Sequence, residues 1–497
     1  MTGLERLADL IWNPWMLGLF LIAGLYLSVR SGFFQVVHCG LWLRTTAGAL
    51  GKKARKGTGR GLTQLQAMST ALAATIGTGS IAGVATAIFY GGPGAVFWMW
   101  VSAFLGMMTG CVEKILAVRY REKDEKGCWQ GGPMCYMEKG LGSPALATLF
   151  ALCCVAASLG GGNMVQANSI SAALHAGFGL DPLAVGIVVA LLTGAVVVGG
   201  IGRIGKVSET LVPCMALLFV GGGMVVLCCH AQALPGALRQ IVEGAVTPRA
   251  ALGGGAGYGM AAALRYGVAR GVFTNEAGMG SSSIAHAAAD TREPAEQGMW
   301  GIFEVFVATI VVCSITALVI LTTGVYQPEE ALDAIQKGQV TPEMLGAPLS
   351  AAGFSTVFGP FGEIFVSVCL LLFAFTSLLG CCYYGERGLA YLSGSNRWRW
   401  IYRLVFLWAL VWGSVADVSA VWQLADIFNG LMALPNLFAL LLLSPEAMAL
   451  LGEWKRNQNI KSARCWWRGG FLCGSLIPPE RGREKSPRYR PPPGVRG

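Results

Sequence analysis

Charge is scarce in this chain. Asp, Glu, Lys and Arg make up 13% of its 497 residues against 54% hydrophobic ones, and the apolar residues gather in runs of about 20. That balance excludes a water-soluble globular protein, whose surface needs more charge. Histidine is rarer still: the four (His38, His175, His230 and His286) are scattered, which argues against a histidine-built metal site or catalytic dyad. No CxxC pair and no Cys/His spacing of the zinc type occurs, so the 15 cysteines, with adjacent pairs at Cys153/Cys154, Cys228/Cys229 and Cys381/Cys382, read as small packing residues. A GxxxxGKS-type phosphate loop is missing too, and ATP hydrolysis is excluded with it as an energy source. Ahead of the first apolar run stand Glu5, Arg6 and Asp9 rather than a positive cluster, and no small-residue cleavage site follows, so that run is expected to be a retained helix, not a signal peptide.

What is present is an all-α integral membrane protein. Apolar runs at about 12–32, 64–90, 92–119, 146–175, 182–200, 208–229, 257–285, 298–324, 358–385, 399–418 and 420–444 predict eleven transmembrane helices. Each satisfies its own backbone hydrogen bonds across roughly 30 Å of hydrocarbon. The 69 glycines suit close helix packing. Between the first two runs lie Arg30, Arg44, Lys52, Lys53, Arg55, Lys56 and Arg60 with no acidic residue, which places this loop in the cytoplasm and the N-terminus outside. Alternation then puts Arg119–Lys126, Arg203 with Lys206, Arg292 and Arg387–Arg403 inside. The segments 230–256 and 325–357, whose only basic residues are Arg239, Arg249 and Lys337, fall outside, and the C-terminus is cytoplasmic. The net charge of +10 reflects this bias and a basic tail, so it calls for no nucleic acid. The expected divisions are 1–63, an extra helix and basic loop; 64–229, a first five-helix repeat; 230–256, an outer connection; 257–445, a second repeat; and 446–497, a tail whose Pro, Gly and Arg content predicts disorder. Short loops and the lack of a targeting segment point to a plasma membrane of the bacterial inner-membrane kind, with the protein a monomer.

Two runs are interrupted. AATIGTGSIAGV (Ala73–Val84) crowds Gly77, Gly79 and Gly83 into the second, and RGVFTNEAGMGSSS (Arg270–Ser283) places Gly271, Gly278, Gly280, Thr274, Asn275 and the ionisable Glu276 in the seventh. Glycine costs about 1 kcal/mol in a helix interior relative to alanine, so each cluster marks a break. Taken singly, either could serve close helix packing of the GxxxG kind. As a matched pair with polar residues between, they predict unwound backbone lining a cavity, since such backbone does not survive against lipid. Five spans separate the breaks, an odd number that inverts the second unit relative to the first. The expected fold is therefore a five-plus-five inverted repeat of LeuT type with one extra N-terminal helix. Arg270 and Glu276 are expected either to pair with other groups or to face the cavity.

TALAATIGTGSIAGVATAIFYGGPGAVFWMW, GGPMCYMEKGLG, GNMVQANSI and RYGVARGVFTNEAGMGSSSIAHAAA resemble the alanine or glycine:cation symporter family, the sodium:alanine symporters. The resemblance runs through nearly all eleven spans and stops before the tail. It implies that N–H groups around Thr78, Gly79 and Ser80, at a positive helix end, receive the substrate carboxylate. Carbonyls of Phe273 and Thr274 would accept from the substrate ammonium, with the Phe273 ring limiting side-chain size. Gln166 would turn its amide into the same cavity, or equally bond one helix to another. For sodium the resemblance implies the carbonyls of Ala73, Ile76 and Phe373 with the hydroxyls of Thr376 and Ser377 in LLFAFTSLLG, although adjacent Thr and Ser also bond back to their own helix. Two positions depart from the family pattern: Ser80 stands where Asn is usual, and Cys381 where Trp is usual, and both reshape the pocket.

The implied function is sodium-coupled symport of a small neutral amino acid, alanine or glycine, by alternating access, with Na+ as the co-transported ion. Proton coupling through Glu276 is the rival within transport. A channel would need a continuous polar path, whereas these spans carry isolated polar breaks. An intramembrane enzyme would need a His or facing carboxylates near one interface, so the chain is read as no enzyme.

Overall fold

The computed structural model describes residues 6–7, 10–49, 61–124, 127–246, 256–341, 344–416 and 418–467. The basic run Lys52–Arg60, residues 247–255 of the expected outer connection and the tail beyond 467 lie outside the described residues. The chain divides into two compact units, 1–450 and 451–497. Within the second unit the described part is helical to Trp467, so helix occupies a stretch assigned from composition to a disordered tail.

The first unit is helical apart from an antiparallel pair, β1 (Glu122–Lys123) with β2 (Trp129–Gln130), among the described residues. The chain's principal helices in order are α1 (Pro14–Arg30), α2 (Gln64–Thr75), α3 (Ala82–Gly91), α4 (Gly94–Arg119), α5 (Pro144–Phe178), α6 (Pro182–Val197), α7 (Gly200–Cys229), α8 (Ala256–Asn275), α9 (Ser281–Ala287), α10 (Pro294–Thr322), α11 (Phe361–Ser393), α12 (Arg399–Val415) and α13 (Val418–Trp467). Six stretches among the described residues are long and apolar enough to cross a bilayer unaided: α4, α5, α7, α10, α11 and Trp422–Gln458 of α13. Helix length therefore supports six crossings and does not establish eleven. The reason is geometric. The helices α1, α6 and α12, at 17, 16 and 17 residues, reach about 25 Å at 1.5 Å per residue. The second and seventh predicted runs are each split into two shorter helices, α2 with α3 and α8 with α9.

Local sequence explains where these elements start. Thr63 caps α2 reciprocally with Gln66, and Asp181 caps α6 through Ala184 N, each satisfying N–H groups that the first turn leaves orphaned. Two buried clusters hold the unit together. One joins Leu72 and Ala73 of α2, and Ile76 just past its end, to Val212, Met215 and Phe219 of α7, Val312 of α10 and Phe373 of α11. The other joins Val84 and Ile88 of α3 to Val96 and Met99 of α4 and Ile320 of α10. On the outside, Leu191, Leu217 and Trp408 expose about 70% of their surface, which suits lipid and not water.

The segments read from sequence as outer loops carry structure of their own. Leu234–Val246 is a helix that buries Ile241 in the second cluster. Helix Gly346–Phe358 buries Phe354 in the first, and its Ser350 hydroxyl donates to the Ile81 carbonyl at 3.1 Å. At the other end of the broken helices, Leu62 pairs with Ala288 and Asp290, tying the entry of α2 to the exit of α9. Arg121 donates to the carbonyls of Ala287, Ala289 and Thr291, where the terminal negative dipole of α9 welcomes a cation. Burial lowers the Arg121 guanidinium to about 10, which leaves it charged at neutral pH.

Candidate functional site

The first break is a matter of diverted hydrogen bonds. Helix α2 stops at Thr75, Gly77 is extended (φ −111°, ψ −155°), and a single tight turn over Thr78–Ser80 leads to α3. In a continuous helix the N–H groups of Gly77 and Thr78 would bond the carbonyls of Ala73 and Ala74. Here Gly77 N bonds the Thr75 carbonyl, and Thr78 N donates to Gln166 Oε1 at 3.3 Å. The vacated carbonyls are taken by α11. Ser377 Oγ donates to Ala73 O (3.0 Å) and Ala74 O (3.2 Å), while Thr376 Oγ1 lies 3.4 Å from Ala73 O and 3.0 Å from Phe373 O. Four of the five oxygens expected around sodium, on Ala73, Phe373, Thr376 and Ser377, thus meet in one buried place. Ile76 packs in the same cluster as Ala73 and Phe373.

The second break repeats the device. Ala277 N bonds the Asn275 side chain and Gly278 N bonds Glu113 Oε1, so neither reaches the carbonyl of Phe273 or Thr274 as it would in a helix. Those carbonyls end α8 without their helical donors. Gly278 and Gly280 take φ of +93° and +83°, and Glu276 takes +53°, a left-handed setting uncommon for a residue with a side chain.

Between the breaks lies a cavity. Its wall includes Gly77 and Gly79 from the first break, Phe273, Thr274 and Glu276 from the second, and Gln166 and Cys381 from α5 and α11. The structure therefore brings together five of the seven residues expected to bind substrate: Gly79, Gln166, Phe273, Thr274 and Cys381. Thr78 and Ser80 are fully buried behind the wall, and the Ser80 carbonyl accepts from Thr316. Gln166 both lines the cavity and bonds across it to the break, so its two expected roles coincide. About 50 Å³ is open to the centre of a water-sized sphere. At about 10–15 Å³ for each water this is room for roughly three to five small groups.

The profile of the sodium:alanine symporter family matches residues 2–465. The chain belongs to that family. Relatives agree along almost their whole length: the sodium/alanine symporter AgcS of Methanococcus maripaludis is 42% identical over 87% of this chain and 92% of its own. An uncharacterized transporter of Haemophilus influenzae is 43% identical over 88% and 92%, and the probable sodium/glutamine symporter GlnT of Bacillus subtilis 37% over 91% and 90%. Among solved structures, MhsT in complex with L-phenylalanine superposes with a TM-score of 0.51 at 14% identity, over 79% of this chain and 99% of that one. An Eremococcus coleocola manganese transporter gives 0.51 at 15% identity over 78% of both. These two likenesses carry the fold alone: an all-α membrane transporter of LeuT-like architecture. As a member of the sodium:alanine symporter family, the protein is a transporter and not an enzyme.

In this family member the breaks are also joined by a buried polar network that the motifs did not single out. Glu113 Oε1 accepts from Gly278 N (2.9 Å), Gly280 N (3.1 Å) and the Asn436 amide (2.7 Å). Its neighbour Lys114 donates to Ser282 Oγ at 2.7 Å and lies 3.5 Å from Glu113 and 3.3 Å from Glu304. Glu304 then accepts from Thr75 Oγ1, at the end of α2, and meets His286 of α9 at 3.1 Å. All of Glu113, Lys114, Glu304 and His286 are completely buried. Two adjacent charges in the apolar run of α4 and a carboxylate in α10 were the available signal, because charge inside a membrane is retained only for a purpose.

Proposed function

We propose that this protein carries a small neutral amino acid, alanine or glycine, into the cell together with sodium. The observation that carries the reading is the placing of the Thr376 and Ser377 hydroxyls on the carbonyls that the first break vacates, directly beside a cavity that the same break opens. Hard, neutral oxygens are what a sodium ion needs in place of its water. On arrival the ion would take the lone pairs that Ala73 O and Phe373 O now share with the hydroxyls, fixing the end of α2 and the N–H groups at Thr78 and Gly79. Those groups receive the carboxylate, the carbonyls of Phe273 and Thr274 receive the ammonium, and Cys381 shapes the remaining wall, with Ser80 buried behind it. Glycine has five non-hydrogen atoms and alanine six, which suits the size of the cavity better than a long side chain. Ion and substrate then favour one closed state, and that shared preference couples sodium entry to uptake by alternating access.

The same reading takes the broken pairs and the short helices as crossings, giving eleven in a five-plus-five inverted repeat after α1, with the N-terminus outside, the C-terminus cytoplasmic and the protein a monomer in the plasma membrane. Uptake of labelled alanine into proteoliposomes under an inward sodium gradient tests it, with glycine and serine as competitors and potassium or proton gradients as controls. The expected result is accumulation that requires sodium and collapses in the Thr376→Ala/Ser377→Ala double variant. Accumulation driven equally well by a proton gradient would overturn the sodium claim.

A further inference from the structure

We propose that Glu276 forms a cation subsite within the cavity and takes the ammonium group of the transported amino acid; this rests on the symport reading above and names the side chain that selects for an amine. Glu276 breaks three local rules at once. It follows the last residue of α8, a position where glycine is the usual occupant and where φ of +53° strains a residue bearing a Cβ. A carboxylate at the carbonyl end of a helix also opposes the helix dipole. Among the described residues it has no ion pair, although it sits among apolar helices where an unpaired charge is costly. Lys114, the cation nearest in its influence, is already held by Glu113, Glu304 and Ser282. A residue that offends backbone, dipole and solvation together is retained for its side chain.

That side chain faces the cavity. Ser281 Oγ holds Oε2 at 2.6 Å, which aims the carboxylate and leaves Oε1 with no donor among the described residues. Around it lie two helix C-termini: α2 ends at Thr75 and α8 at Asn275, and residues of both last turns, Ala74, Thr75 and Thr274, line the wall, which sets the negative ends of two helix dipoles beside the space. Tyr384 supplies a second, independent sign of a missing partner. It lines the same cavity, is 1% exposed, and its hydroxyl has no hydrogen-bond partner among the described residues. Buried polar groups are normally satisfied, so a ligand with donors and acceptors completes this wall. An ammonium has three N–H donors: Glu276 Oε1 takes one, and the carbonyls left open at the end of α8 take others.

Binding of alanine and of propionate, which keeps the carboxylate and loses the amine, to the purified protein in saturating sodium tests the assignment. Glu276→Gln is expected to weaken alanine by about 10- to 100-fold, the range for losing a hydrogen bond to a charged group, and to leave propionate unchanged. The sodium-induced rise in melting temperature should persist in that variant, because the ion's oxygens lie on α2 and α11; this readout establishes that the variant is folded. Ser281→Ala keeps the charge but releases its aim, and should weaken alanine by about 3- to 10-fold. Alanine binding unchanged in both variants overturns the proposal. So does a loss of sodium cooperativity in Glu276→Gln with alanine affinity at saturating sodium intact, which would assign the carboxylate to a coupled ion instead. Wild-type protein that binds no small amino acid in sodium overturns the symport reading itself.

Discussion

Lys114 is completely buried, so its charge is shared only with protein groups. Its ammonium is balanced by Glu113 and Glu304, and removing it would leave two carboxylates buried near one another without a counter-charge. Breaking such a group from one side costs about 3–5 kcal/mol, whereas removing charge from both sides costs far less. Lys114→Met is therefore expected to lower the apparent melting temperature in detergent sharply. Lys114→Met combined with Glu304→Gln should recover most of the loss, and a double variant no more stable than the single one would contradict the pairing. Gly77 makes a second residue-scale case. A Cβ there would stand 2.7 Å from Ser377 Oγ and 3.2 Å from Gln166 Oε1, so Gly77→Ala pushes at once on the hydroxyl that would face sodium and on the amide that closes the cavity. Uptake by this variant should fall at least tenfold, with the sodium requirement weakened, measured as the concentration dependence of alanine transport on sodium.

At the scale of elements, the two broken helices owe their form to competition for backbone groups. Each helix ends because side chains, the distant Gln166 at the first break and the local Asn275 with the distant Glu113 at the second, offer the next N–H groups a partner. Glycine then permits the turn. Gly278 and Gly280 are doubly constrained, since each has positive φ and a Cβ would approach Phe20 and Leu437 at 2.8–2.9 Å, or Pro133 and Asn436 at 2.6–2.9 Å. Alanine at either position should reduce folded protein recovered after solubilisation, while alanine at the half-buried Gly18, whose Cβ would meet nothing within 4 Å, should not. Glycine spacing made the breaks legible in the sequence, and hydropathy made the long helices legible, because both signals are local. What stayed hidden was the partner of each vacated group: that Glu113, some 160 positions before Gly278, would cap its N–H cannot be read from either segment alone. Helix Gly346–Phe358 was hidden for a like reason: the partner of its Ser350 is the carbonyl of Ile81, some 270 positions earlier. Crossing number stays open from helix length because breaks and short helices satisfy backbone without spanning the bilayer unaided.

For the molecule as a whole, the two breaks are not independent, because Thr75 at the end of α2 and Gly278, Gly280 and Ser282 around α9 meet through Glu304, Lys114 and Glu113. A ligand that orders one break acts on groups that also hold the other. If sodium orders the first, then sodium and alanine must each raise the other's affinity by the same factor, since coupling of binding free energies is reciprocal. A ligand present at about 100 times its dissociation constant stabilises the folded state by about 2.7 kcal/mol, and a cooperative pair stabilises by more than the sum of the two alone. Melting temperatures of the wild type with sodium, with alanine in potassium, and with both should therefore show a combined rise larger than the two separate rises added. In Gly77→Ala the excess should vanish even if a small response to each ligand survives. Strictly additive responses in the wild type would mean that the network merely holds the breaks in place and that ion and substrate are coupled, if at all, through some other part of the transport cycle.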